Sequence, residues 1–149
     1  MNKGYRSYEI YKQLHKVDEA DLNYTLIFLG GLGGKGYGNA HAVRTAYLFN
    51  KLHPERIMIQ SLTLFSGIPL MKDDKFIEAD EKERILELET FIGKLEIDTF
   101  IDATSASILT PFFGRIPENK ESILEFLRNS YENADECVLK NKRNKLKRV

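Results

Sequence analysis

Six glycines at positions 30, 31, 33, 34, 36 and 38 follow the apolar stretch "YTLIFL" (24–29) and precede "NAHAVRTAYLFNKLHP". A glycine-rich turn between a strand and a helix is where many α/β proteins hold a phosphate or a nucleoside, because backbone amides and a helix N-terminus face the ligand there. A phosphate loop of the GxxxxGK type needs Ser or Thr after its lysine to ligate magnesium. Here Gly36 follows Lys35, and Leu29 stands where the first glycine belongs, so the metal ligand is missing. The dinucleotide pattern GxGxxG is matched by Gly31, Gly33 and Gly36. Its third glycine should pack at the helix start, with an acidic residue about 20 positions on to hold a ribose. Tyr37 and Gly38 prolong the loop instead, and Glu55 precedes the second strand rather than ending it. A plain turn with positive φ is the third reading of the same glycines.

Other chemistry-bearing residues are scattered. His15, His41 and His53 are too far apart in sequence to read as a metal cluster. A single cysteine, Cys137, excludes an internal disulfide framework and a cysteine-only metal site, and it fits a reducing cytoplasm. His41 falls in the first turn of a helix, where it either bonds a nearby carbonyl or serves a site. Asp73, Asp74, Glu78, Asp80 and Glu81 lack the spacing of an oxygen-ligand loop and read as a solvated loop and helix start. Phe112 and Phe113, beside Pro111, are either core or the floor of a substrate pocket.

Periodicity supplies the elements that position these groups. Ile10, Leu14 and Val17 set an amphipathic helix over about residues 7–19. "YTLIFLG", "RIMIQSL" and "DTFIDA" are short apolar strands of the kind buried in parallel sheets. Ala42, Val43, Ala46 and Phe49 make one face of a second helix. A third opens with Asp80 and Glu83 at capping-box spacing and carries Ile85, Leu88, Ile92 and Leu95 on one side. After "TSASILTPFFGRIP", read as a loop, comes a last helix, "ENKESILEFLRNSYENA". Strands alternating with helices predict right-handed crossovers and a parallel sheet.

The chain of 149 residues reads as one domain over 1–136 and a flexible basic tail over 137–149. The tail is either a solvated end or an electrostatic arm for nucleic acid or an acidic surface. Acidic and basic residues number 22 each, so bulk charge points to no polyanionic partner. No apolar run reaches membrane length, and "MNKGYRSYEIYKQ" has no apolar signal core, so the expected setting is cytoplasmic.

Five stretches, in order, carry a family resemblance over residues 1–129: "MNKGY", "LGGLGGKG", "HAVRTAYLFNKLHPERI", "SLTLFSGIPL" and "GRIPENKESIL". Together they resemble the C-terminal half of radical S-adenosylmethionine (radical SAM) enzymes of the biotin-synthase-like and Elongator-like oxidoreductase group. The resemblance implies an α/β fold, half of a radical-SAM-type barrel with about three parallel strands alternating with helices. In the family a [4Fe-4S] cluster on a Cys-x-x-x-Cys-x-x-Cys loop and S-adenosylmethionine sit at the strand ends and generate a 5′-deoxyadenosyl radical. By that resemblance Phe28, Leu29, Gly30, Gly31, Leu62 and Thr63 lie beside the adenosine. Thr104 and Ser105 face substrate, in the stretch "TSASI" where the family carries N-H-x-S-N. Lys35, Ser66 and Ile68 depart from the family motifs. The cluster loop belongs to a strand before this chain's first, so no catalytic residue and no metal ligand is assigned here, and neither cofactor is expected to bind stably to this chain alone. The expectation is a fragment or truncated form of such an enzyme, paired with its missing N-terminal half or with a second copy across the uncharged edge at 24–29. The alternatives are a non-catalytic barrel remnant serving as a binding module, and an unrelated nucleotide-binding α/β protein.

Overall fold

The structure, a computed structural model, describes residues 4, 6–65 and 76–146. Its elements are α1 (Ser7–Glu19), β1 (Thr25–Gly30), α2 (Gly38–Phe49), β2 (Arg56–Ser61), α3 (Glu81–Lys94), β3 (Thr99–Ala103), β4 (Phe112–Ile116), α4 (Lys120–Glu132) and α5 (Glu136–Leu146). The strands form one sheet in the order β1-β2-β3-β4. β1, β2 and β3 are parallel, as the βα alternation requires, and β4 pairs antiparallel with β3. The sheet is open and mixed, so the fold is α/β but is not a barrel.

β4 lies within the segment expected to be a loop. Phe112, Gly114 and Ile116 point into the core while Phe113 and Arg115 point out, a period of two that five residues barely display. The strand ends in a tight return to α4. The Asn119 side-chain oxygen accepts from the Arg115 N–H at 2.9 Å, and the Asn119 N–H donates back to the Arg115 carbonyl at 2.7 Å. A Cβ at Gly114 would lie 2.9 Å from the Asn119 Cβ, so glycine is needed for this closure.

One face of the sheet packs on α2, α3 and α4. Leu26 and Phe28 of β1, Ile57 and Ile59 of β2, and Ile101 of β3 share a core with Ala46, Phe91, Ile92 and Leu127. Phe28 stacks on Phe91 with ring centroids 3.9 Å apart, and Phe49 meets Phe91 edge-on. Each buried Leu, Ile or Phe side chain here contributes roughly 1.5–3 kcal/mol. The Asp80 side chain accepts from the Glu83 N–H at 2.8 Å and the Glu83 carboxyl accepts from the Asp80 N–H, so the expected capping box is present and starts α3. On the opposite face, the alternating positions Ile27, Leu29, Met58, Gln60, Phe100 and Phe113 remain half-buried or exposed, Ile27 at 56% and Phe113 at 68%.

The two terminal helices are attached differently. α1 spans the expected residues and contains no buried residue. Tyr11 and Leu14 pack half-buried against the core, and Asp18 Oδ1 accepts from the Tyr24 hydroxyl at 2.7 Å and from the His53 N–H at 3.2 Å. The basic tail is not a frayed end over residues 136–146. It forms α5, and Arg143 in its last turn is 3% exposed. The apolar pattern could not show this, because the anchoring side chain is charged. Among the described residues no helix is long and apolar enough to cross a membrane.

Candidate functional site

Open α/β sheets bind ligands at the carboxyl ends of their parallel strands. Here those ends carry two linked polar clusters, both organised by α3. The first holds the glycine loop. Glu87 is 1% exposed, and its Oε2 accepts the Gly31 N–H at 2.6 Å while its Oε1 lies 2.7 Å from His41 Nδ1. The His41 ring also stacks on Phe28, with centroids 5.1 Å apart. His41 is therefore oriented by a carboxyl and an aromatic ring. At the far end of the loop, Glu83 Oε1 accepts the Gly36 N–H at 3.1 Å. Amides that would greet a phosphate are thus taken by the protein's own acidic side chains, and a second anion there would be repelled. Gly31, Gly34 and Gly36 all have positive φ, as the plain-turn reading requires.

The second cluster is built on two buried guanidiniums. Arg84 Nη1 donates to Ser61 Oγ at 2.8 Å and to the Leu62 carbonyl at 3.0 Å, Nε donates to the Ala79 carbonyl at 3.2 Å, and Nη2 donates to Glu78 at 3.0 Å. Burial pushes the Arg84 guanidinium below its ordinary range. Arg143 pushes the same way, and Glu81, Glu78 and Glu87 oppose. Arg143 reaches in from α5 and forks onto Glu81, Nε and Nη2 each donating to one carboxylate oxygen at 2.8 Å. It also donates to the Ser107 carbonyl at 2.6 Å, to Thr63 Oγ1 at 3.2 Å and to Ser61 Oγ at 3.3 Å.

The residues assigned by resemblance are distributed as follows. Phe28 is fully buried in the helix-side core, so only its backbone lies near the strand end. Leu29 is half-buried on the sheet's other face. The Gly30 carbonyl accepts from the Leu62 N–H at 2.8 Å. A Cβ added at Gly31 would collide with Arg84 Nη1, so the space beside this glycine is filled by a guanidinium. Leu62 and Thr63 belong to the arginine cluster. Ser105 joins it indirectly, its Oγ 3.0 Å from Ser107 Oγ, which accepts the Ser61 N–H at 3.0 Å. Thr104 stands apart and donates to Asp102 Oδ1 at 2.7 Å. It lines a hollow of about 420 Å³ with Pro111, Phe112, Phe113 and Phe126. The aromatic pair is split, Phe112 buried and Phe113 exposed. Asp73, Asp74, Ser66 and Ile68 fall outside the described residues.

Sequence reasoning missed Arg84, Glu87 and Arg143, and Glu81, expected at a solvated helix start, is buried because Arg143 covers both its carboxylate oxygens. A signal existed for two of them. Followed back to the helix start, the stripe Leu95, Ile92, Leu88, Ile85 lands on Arg84 and Glu81, charged residues where the apolar face continues.

Among the described residues no group of three His, Cys, Asp or Glu side chains could hold a metal ion. Cys137 is a single exposed thiol. The residues present therefore do not fit a [4Fe-4S] cluster, which takes several thiolates. The fold and site define an open-faced α/β domain with two charged clusters at its strand ends, one of them filled by Arg143 of α5. No protein-family model, curated protein or solved structure matches the chain.

Proposed function

We propose that this chain supplies the adenosine- and substrate-side arc of a radical SAM-type enzyme, with the cluster loop provided by a polypeptide segment outside residues 1–149 or by a separate chain. The observation that carries this reading is the arc itself. Three parallel strands run in sequential order with helices α2, α3 and α4 on one face, and an apolar face with exposed Ile27 and Phe113 lies on the other. The β1–β3 part has the form of a parallel barrel cut open, its former interior exposed and its first strand at an edge, and the antiparallel β4 departs from it. By the family resemblance the adenosine lies beside Phe28–Gly31 and Leu62–Thr63; the Phe28 side chain is buried in the core, and the Gly30 carbonyl accepts from the Leu62 N–H at the strand ends. With Arg84 behind Gly31 and the Gly31 N–H bonded to Glu87, what the chain offers a base is the apolar side of Leu29 and Leu62. S-Adenosylmethionine, when bound in a complete enzyme, is the source of the radical. This chain's own part is to shelve the adenosine and keep water from it.

The test is a titration of the ¹⁵N-labelled chain with S-adenosylhomocysteine, adenosine and uridine. The adenosine compounds should shift the amides of Leu29, Gly30, Gly31, Leu62 and Thr63 with millimolar affinity, corresponding to about 4 kcal/mol. No saturable shift there, or an equal response to uridine, would refute the reading. A second reading has one observation in its favour: α5 lies across the strand ends and Arg143 bonds Thr63 directly. On that reading the domain is a binding module whose own helix closes its ligand end.

A further inference from the structure

Arg143 bonds only acceptors in its socket, and Arg84 stands at the wall, donating to Ser61 Oγ and lying 3.7 Å from Glu81 Oε1. Glu81 presents both carboxylate oxygens, Ser107 its carbonyl, and Thr63 and Ser61 their hydroxyl oxygens, all within 2.6–3.3 Å of guanidinium nitrogens. The walls come from three places in the chain: the start of α3, the end of β2 with the residues after it, and the loop after β3. They are also tied to one another without Arg143. The Ser61 N–H donates to Ser107 Oγ, Ser61 Oγ accepts from Arg84, and Thr63 Oγ1 donates to the Ser61 carbonyl. A socket held this way keeps its shape when its occupant leaves.

The occupant is lightly held elsewhere. Arg143 is the only buried residue of α5. The other anchors are Leu139, half-buried against the core, and Glu136, whose carboxylate accepts the Glu81 and Lys82 N–H groups at 3.0 Å each. Beside the helix a hollow of about 250 Å³ reaches Arg143 and carries Glu78, Asp80 and Glu136 on its lining, with Lys35 and Lys140 at the same wall. A cation entering there meets carboxylates before it meets the socket.

We propose that this socket is a binding site for a guanidinium-bearing ligand, and that α5 is a strap that occupies it in cis. The fork on Glu81 with further bonds to a carbonyl and hydroxyls matches a planar, five-donor group. A compact ammonium cannot span both carboxylate oxygens and the Ser107 carbonyl at once. A ligand of this class gains entry when α5 swings away, or replaces α5 by presenting the same group. The proposal is independent of the adenosine reading, since its probes carry no base and its contacts lie on Glu81 and Ser107.

The experiment uses the full chain with Arg143→Ala and three probes: ethylguanidinium, butylammonium, and the blocked tripeptide Lys-Arg-Asn. Ethylguanidinium should shift the amides of Ser61, Thr63 and Ser107 saturably in the variant. In the wild type the apparent affinity should fall at least about tenfold, because a short linker presents Arg143 at a millimolar or higher effective concentration. Butylammonium should bind at least about tenfold more weakly than ethylguanidinium. A stronger response to the tripeptide than to ethylguanidinium would assign the site to arginyl side chains, and the reverse to small guanidinium compounds. Absent shifts in the variant, equal response in the wild type, or equal response to butylammonium would each overturn the proposal. If Arg143→Ala does not fold, Arg143→Lys takes its place. Ethylguanidinium should then raise the Tm of that variant and leave the wild type unchanged, and no rise would overturn the proposal.

Discussion

Glu87 is the residue whose removal should be felt most, because a buried carboxyl on α3 holds two distant groups. Its oxygens contact the Gly31 N–H at 2.6 Å and His41 Nδ1 at 2.7 Å, and only 1% of its surface meets solvent. Glu87→Ala leaves both partners without it. A hydrogen bond to a charged group is worth about 1.5–3 kcal/mol, and an orphaned buried donor costs about 1–3 kcal/mol more. We therefore expect Glu87→Ala to lower stability by about 3–5 kcal/mol. With a urea slope of about 2 kcal/mol per molar, the midpoint should fall by about 1.5–2.5 M. Glu87→Gln keeps the shape, an acceptor for Gly31 and a polar group for His41, so its cost should be about 1–2 kcal/mol. A double-mutant cycle with His41→Ala should give a coupling of about 0.5–3 kcal/mol. The control is Glu125→Ala, which alters an exposed position on α4. A Glu87→Ala midpoint as close to wild type as that control would refute the claim that this carboxyl fastens the glycine loop.

Gly31→Ala should cost well over twice what Gly36→Ala costs in the same urea assay. Both sites have φ of +78°, but a Cβ meets Arg84 at Gly31 and nothing within 4 Å at Gly36, where only the left-handed backbone cost of about 1–2 kcal/mol applies. Equal effects would remove the Arg84 contact from the account. Burial, with the Asp18 hydrogen bond and charge adding to it and the His53 N–H opposing, raises the Tyr24 hydroxyl pKa well above its ordinary value. The stability this contributes is fully present below about pH 10 and is lost as pH rises beyond it, so the gap between wild type and Tyr24→Phe should narrow from about pH 10 upward. A gap constant to pH 11 (about one unit above the ordinary tyrosine value) would contradict that. The chain should self-associate through the β1 edge and the open sheet face, and Ile27→Lys should shift light scattering toward monomer. A wild type that stays monomeric at high concentration would defeat this.

The parallel part of the fold was legible because its signals are apolar and periodic. Ile57 and Ile59, or Leu88 and Ile92, announce their elements whatever surrounds them. β4 was hidden by its length and by Gly114, whose role is set by Asn119 five positions later rather than by any local pattern. α5 was hidden for a different reason. "KNKRNKLKRV" has the composition of a solvated end, and the one buried residue among its described positions is an arginine that finds acceptors 36 to 82 positions away. The candidate site divides in the same way. Gly31, Leu62 and Thr63 are backbone-rich strand ends that a motif can mark. Glu87 and Arg143 act through long side chains whose targets exist only once the sheet and helices have assembled.

The attachment of α1 has a consequence for how the molecule breathes. Its ties, Tyr24 to Asp18 and His53 to both, sit where β1 and β2 begin, at the opposite end of the strands from the charged clusters. With no fully buried residue and only Tyr11 and Leu14 half-buried against the core, α1 should detach at a fraction of the global unfolding free energy, and its amides should exchange with solvent before those of α3. Each such opening frees the amino ends of β1 and β2 and leaves the guanidinium socket undisturbed. The two ends of one sheet then fluctuate on separate timescales, the α1 end through frequent local opening and the ligand end only when α5 lets go.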